Sequence, residues 1–305
     1  MFDRIGQGIY WDNFWRLVDG CTPISPGCEH CWSAKYTHRF DGEIMADWLT
    51  RSDQKFNGKI RLRHDHLDLP LRKKKPRVWF ILNDLFHKQV PTQFIDRALE
   101  IMAATPQHIY LLLTKRANLI EEKIYGTKVP GHSIRELGGG DYIPNVWLGV
   151  TVCNQEEADR KILDLTKIPG FKKFLSIEPM LGPIDISLYF RQRCNSKRFC
   201  GSCDIGVGHE AIQWVVLGGE SGPGARPMNP EWVRSVRDQC QEAGVPFYFK
   251  QWGEWAPSDR YVRKDEHGHY WASPLGIPRF SIRIGKKRAG RLLDGREWNE
   301  LPICK

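Results

Sequence analysis

Six short β-type runs recur along the chain at a nearly constant interval, and this rhythm restricts the fold more than any other feature. They are VWFIL from Val78, IYLLL from Ile109, VWLGVTV from Val146, FLSI from Phe174, WVVL from Trp214 and FYF from Phe247, with starts 31, 37, 28, 40 and 33 residues apart. Each interval holds one strand, one helix and two loops, as a parallel crossover requires. A run over Ile9 to Phe14 supplies an earlier strand, so the run from Phe247 is the seventh. Between runs, PTQFIDRALEIMAAT places Phe94, Ile95, Ala98, Leu99 and Met102 on one helical face, and NPEWVRSVRDQCQEAG has Asn229 as cap, Pro230 in the first turn and Gly244 as stop. The alternation predicts an α/β fold, a TIM-like parallel (β/α) barrel, complete or partial, with six or seven strands. Polar or glycine-rich signatures follow the runs directly (NDLFH, LTKRA, TVCNQ, SIEPM, LGGESG, KQWGEW), which places them together on the carboxyl rim, where parallel folds carry their sites. The rhythm stops after Ala256. The expected organisation is a barrel over 1–255, interrupted by a cysteine-rich, metal-binding insertion at about 186–211, and a small appended region over 256–305.

Composition narrows the function classes. With 41% hydrophobic and 27% charged residues among 305, the chain is neither a disordered tail nor a collagen-like fibre. The longest apolar runs fall far short of the ~18 residues of a membrane span, and MFDRIGQGIYWDNFW lacks a basic segment followed by an apolar stretch, so a cytoplasmic protein without membrane contact is expected. Forty-five basic against 36 acidic residues give +9, a field that favours polyanions. The densest basic run, Arg72 to Lys75, reads as a phosphate clamp or as a solvated loop, and Trp252 and Trp255 read as exposed aromatics for base stacking or as ordinary surface and core.

Nine cysteines at uneven spacing in such a compartment point to metal rather than disulfides. Cys21, Cys28 and Cys31 stand in CTPISPGCEHCW, where Pro23, Pro26 and Gly27 force a compact loop. Three thiolates suit a [4Fe-4S] cluster with one open iron; a zinc site with His30 as fourth ligand and a set of buried free thiols are the alternatives. Cys194, Cys200 and Cys203, with His209, form a second set that reads as a zinc knuckle, an auxiliary cluster or free thiols, and Arg191, Arg193, Lys197 and Arg198 around it suit phosphate contact.

A three-cysteine loop after the first strand of a parallel barrel, with His30 in the aromatic position before the last cysteine, resembles the radical S-adenosylmethionine (SAM) superfamily. The succession CTPISPGCEHCW, NDLFH, LTKR, GVTV, SIEPMLGP, GGESGPGARP, FYFKQWG and GKKRAGRLLDG resembles, more closely, a phage- and prophage-encoded family of three-cysteine-motif radical-SAM-like proteins, here with six residues between the first two cysteines. The resemblance implies a [4Fe-4S] cluster on Cys21, Cys28 and Cys31, SAM chelating its open iron, reductive cleavage to a 5'-deoxyadenosyl radical, and a one-electron donor such as a flavodoxin or ferredoxin. On that reading Asp84 accepts the SAM ammonium, Lys115 and Arg116 take a carboxylate or phosphate, and Gly218, Gly219 and Ser221 border the cofactor alongside His30. Glu178 and Glu220 bind ribose or act on the substrate, and Cys153, at the end of the fourth strand, returns a hydrogen atom as resemblance to spore photoproduct lyase allows. The expected activity is radical SAM chemistry on a nucleic-acid base or nucleotide, in phage DNA modification or repair. The alternatives are a non-enzymatic, zinc-stapled nucleic-acid-binding protein and radical modification of a protein or peptide.

Overall fold

The computed structural model describes residues 5–125, 128–129, 132–133, 143–190, 212–257 and 281–302. Seven strands form one all-parallel sheet in the order of the chain: β1 (Asn13–Trp15), β2 (Val78–Ile81), β3 (Ile109–Thr114), β4 (Val146–Thr151), β5 (Lys172–Ile177), β6 (Trp214–Gly218) and β7 (Phe247–Gln251). Sequential parallel neighbours follow from same-handed crossovers, and the sheet curls into a half-barrel. All six expected runs are strands.

The first strand is shorter than the expected Ile9 to Phe14 and shifted toward the carboxyl side. The Asp12 amide donates to the Val78 carbonyl and the Asp12 carboxylate accepts from the Val78 amide at 2.8 Å, so a side chain takes the place of a ladder partner and regular pairing starts at Asn13. Strand alternation then separates two cores. Phe80, Leu111, Trp147, Phe174, Trp214 and Tyr248 gather on the concave face, while Trp79, Tyr110, Leu148, Leu175, Val215 and Phe249 join the larger core on the other face with the helices. Tyr10 bridges the concavity, with its ring 5.4 Å from Trp214, 5.5 Å from Tyr248 and 6.2 Å from Phe80.

Helices α3 (Thr92–Ala104), α4 (Ala117–Tyr125), α5 (Gln155–Thr166) and α6 (Pro230–Ala243) occupy the crossovers. α6 is built as its sequence reads: Asn229 accepts from the Glu231 amide, Pro230 opens the first turn, and Gly244 closes it at φ +67°. The first crossover differs from the rest. A strand Val18–Gly20 pairs antiparallel with Ile60–Leu62, and α1 (Trp32–Phe40) and α2 (Glu43–Leu49) stand between them. The three-cysteine loop therefore leaves this hairpin and not β1 itself. Of the appended region, residues 298–300 line the β7 edge, where the Phe249 amide donates to Trp298 O and the Glu300 amide to Phe247 O. Ala289, Leu293 and Trp298 belong to the main core. The second cysteine set, Cys194, Cys200, Cys203 and His209, lies outside the described residues, as do Tyr261, Tyr270 and Trp271. Among the described residues no helix is long and apolar enough to cross a membrane.

Candidate metal and cofactor site at the carboxyl rim

Local rules shape the cysteine loop. Ser25 caps a 3-10 turn by accepting from the Gly27 amide, Pro26 fits its first position, and the turn delivers Cys28. Cys31 is the capping residue of α1, whose first amides face its sulfur: burial pushes the Cys31 thiol up, opposed by the backbone amides of Ala34 and Ser33. Cys21, Cys28 and Cys31 are free thiols, each part-exposed, and all three line one cavity of about 130 Å³, several times the ~30 Å³ share of one water. Its other walls come from the carboxyl ends of β2, β3 and β4, through Asn83, Asp84, Lys115, Arg116 and Thr151, with Trp32, Phe56, Phe80 and Leu113 as apolar lining.

Asp84 is the anchor of this wall. Its Oδ1 accepts from Thr114 Oγ1 at 2.7 Å and from the Phe86 amide at 3.0 Å, and its Oδ2 accepts from Arg116 Nη1 at 2.6 Å. Arg116 also donates to Thr22 O at 2.6 Å and approaches Cys21 Sγ at 3.7 Å, so the buried Asp84–Arg116 pair clamps the start of the cysteine loop. Burial, reinforced by Asp84 and opposed by Arg116, pushes the Cys21 thiol up to about 12. The Lys115 amide donates to Asp84 Oδ2 at 3.4 Å, while its ammonium has no hydrogen-bond or ion-pair partner among the described residues. Burial works against its charge, but the sulfurs of Cys153, Cys28 and Cys31 outweigh it and raise its pKa. Sequence reasoning missed two supports here. His87 lies in NDLFH, and its Nδ1 accepts from the Gln89 amide, which makes Nε2 the donor to Thr22 Oγ1 at 2.8 Å. Asn83 holds φ +62° while its side chain bonds Ser33 Oγ and Val18 O, a left-handed backbone that asparagine tolerates.

Cys153 faces the loop and not the helix layer. It is fully buried, and a Cβ on Gly27 would stand only 2.4 Å from its sulfur, so glycine there lets loop and sulfur meet. Burial lifts this thiol to about 11 against the pull of Lys115. Beneath it the Glu157 carboxylate accepts the Cys153 amide and pairs with Lys161 at 2.8 Å.

The remaining expected residues sit on the other half of the rim, engaged with the protein itself. Glu178 accepts from Tyr10 Oη at 2.9 Å and Ser176 Oγ at 3.1 Å, and pairs with Lys250 at 2.7 Å. Glu220 holds Arg226 through two guanidinium bonds and its backbone amide, and Arg226 continues to Pro26 O at 2.9 Å. Arg226 stands inside GGESGPGARP without a signal that separates it from other arginines. Gly218 and Gly219 are glycines for packing: a Cβ would meet Glu178 Oε1 at 3.2 Å in the first case and the Trp252 carbonyl oxygen at 2.0 Å in the second. Ser221 accepts from Gln251. His30 does not line the cavity; its ring packs on Gly224.

For two segments left open between nucleic-acid contact and ordinary surface or core, the structure favours the second. Trp252 is 2% exposed and donates to Leu292 O, and Trp255 is part-buried with its indole bonded to Ala225 O. Arg72 to Lys75 are exposed but precede β2, at the end of the barrel opposite the cavity, where they cannot clamp a substrate at that site.

Among the described residues, no three His, Cys, Asp or Glu side chains are gathered to hold a single metal ion. A family described as "Protein of unknown function (DUF5131)" matches residues 7–302, while no curated protein and no solved structure matches the chain. That match runs through all seven strands and the cysteine loop, and the chain belongs to the DUF5131 family.

Proposed function

We propose that this chain is a radical SAM-type enzyme on a TIM-related barrel, in which Cys21, Cys28 and Cys31 hold a [4Fe-4S] cluster and the substrate is a nucleic-acid base or nucleotide. The observation that carries the reading is the common cavity: three free thiols of one loop line it at the carboxyl rim, with the unpartnered Lys115 ammonium beside them and His30 turned away. Three protein ligands leave one corner of such a cluster for a small molecule.

When bound, the cluster supplies the electron that breaks the sulfonium bond of SAM. The chain's own residues do the rest. Arg116 and His87 fix the loop through Thr22, Lys115 offsets the negative charge of the sulfurs, and Trp32, Phe56 and Leu113 keep the cavity wall apolar, which limits quenching by water. Asp84 acts as a positioning residue, since both its oxygens are engaged by Arg116, Thr114 and backbone amides.

Anaerobic reconstitution tests this. Iron and labile sulfide near four per chain, absorbance at roughly 400 nm and 5'-deoxyadenosine formed from SAM with dithionite are expected, and Cys21→Ala, Cys28→Ala or Cys31→Ala abolishes all three. Stoichiometric zinc without iron would overturn the reading in favour of a metal-stapled binding protein.

A further inference from the structure

Helix α1 is folded inside out. Its buried positions are Ser33, Ala34 and Thr37, while Trp32, Tyr36 and Phe40, spaced four residues apart on successive turns, are 49%, 42% and 61% exposed. A surface helix normally does the reverse. The arrangement follows from its start: Cys31 has to face the cavity, so the small residues next to it pack inward and the rings are left outside. The row begins at the cavity, which Trp32 lines, and Phe14 extends it with its ring 5.9 Å from Trp32. At the other end Tyr36 and Phe40 are 5.0 Å apart.

Cations accompany the rings. Lys35 and Arg39 form the adjacent row of α1, which carries no acidic residue, and the Arg39 guanidinium stands 5.2 Å from the Phe40 centroid. Across α2, Lys59 stands 5.9 Å from the exposed Trp48. None of Lys35, Arg39 and Lys59 has a carboxylate partner among the described residues; Glu43 and Asp47 lie on a separate row of α2.

We propose that this face of α1 is a platform for single-stranded nucleic acid, with bases stacked on Tyr36 and Phe40 and phosphates beside Lys35, Arg39 and Lys59, leading one unstacked base to the cavity at Trp32. Open aromatic faces suit unpaired bases, whose rings a duplex keeps covered. Lysines beside them that lack a carboxylate partner complement phosphates, Lys35 holding only a 3.4 Å bond to Pro223 O, whereas protein interfaces are depleted of lysine. The inference rests on the nucleic-acid half of the proposed function and is independent of the cluster.

Fluorescence anisotropy of the full chain with fluorescein-labelled (dT)20 and a hairpin duplex tests it. The expected result is preference for the single strand, with Tyr36→Ala and Phe40→Ala each weakening binding at least about five-fold and the pair together at least about 25-fold. Both rings are exposed, so unchanged melting curves establish that the variants fold. Lys35→Gln with Arg39→Gln lowers the salt dependence. Unchanged affinity in the Tyr36→Ala/Phe40→Ala variant overturns the platform and leaves the proposed function standing. No binding of any oligonucleotide overturns both the platform and the substrate assignment. A wild-type dimer that the same variant dissociates, without oligonucleotide binding, assigns the face to a second copy of this chain and overturns the platform. Binding is expected to persist in a preparation without iron, since the platform does not depend on the cluster, and its loss there would overturn that independence.

Discussion

The two halves of the carboxyl rim are made from similar materials and put to different use. Over β1 to β4 the rim leaves a cavity of about 130 Å³, three free thiols and a lysine ammonium without a partner among the described residues. Over β5 to β7 its charged groups face one another: Glu178 with Lys250, Glu220 with Arg226, and backbone against backbone at Gly219 and Gly253. A carboxylate at the end of a parallel strand is therefore not by itself a catalytic candidate. The closed half braces the open one, since Arg226 reaches Pro26 and a Gly27 Cβ would come within 3.1 Å of Pro179.

The same small substitution distinguishes the halves most sharply. Gly219→Ala drives a Cβ to 2.0 Å from the Trp252 carbonyl oxygen, where neither backbone can yield. Overpacking of this kind exceeds about 3 kcal/mol, and urea denaturation is expected to show that loss. A change below about 1 kcal/mol would mean that the closed half is looser than its contacts.

Arg226→Ala comes next. It removes both guanidinium bonds from Glu220, whose side chain is 5% exposed and keeps only the amide at position 226, and it removes the bond to Pro26. Arg226 is itself about a quarter exposed, so solvent moderates the cost to about 2 to 3 kcal/mol. If the closed half braces the loop, hydrogen exchange at residues 25–31 rises as well, whereas a merely local defect would leave that segment as protected as before.

Much of this was legible in the chain because it rests on short-range periodicity. The six runs are strands, and Asn229, Pro230 and Gly244 delimit α6 as their chemistry dictates. Pairing across long separations was not legible. Glu220 reads the same whether it faces a ligand or Arg226, and Gly219 reads as an approach for a ligand until the Trp252 carbonyl is placed against it. Trp252 reads equally as exposed or as core because an aromatic after a strand carries no mark of its neighbours, and nothing in the sequence marks the exposed row of α1.

Gly27→Ala probes the open half with a clash that can be relieved. The new Cβ meets Cys153 Sγ, a side chain, and the expected cost is about 1 to 2 kcal/mol with reduced iron loading. Cys153→Ala in the same chain removes the obstructing sulfur and restores part of both, and the remainder reflects the Pro179 ring. Additive losses in a double-mutant cycle would show that loop and sulfur do not meet.

The smallest effect is a pH dependence confined to the open half. Burial, with Arg116 adding to it and Asp84 opposing, lowers the His87 pKa to about 4, against ~6.5 in an unfolded chain. Below ~6.5 the unfolded chain takes up the proton first, so this contribution to stability is complete above that value and declines as the pH falls toward 4. Between pH 7 and 5 the loss is about 1 to 2 kcal/mol, set by burial of the ring and by the bond that Nδ1 accepts from the Gln89 amide, beside the Nε2 contact with Thr22 at the start of the cysteine loop. His87→Gln keeps a donor and cannot titrate, so its urea midpoint is expected to change less over that range than the wild type's. Among the described residues β5 to β7 carry no histidine, and the one ring that touches their rim, His30, packs on Gly224, so exchange at residues 215–219 stays level while that at 21–24 rises. Equal rises in both segments would show that acid acts on the whole fold and that the two halves are not separately held.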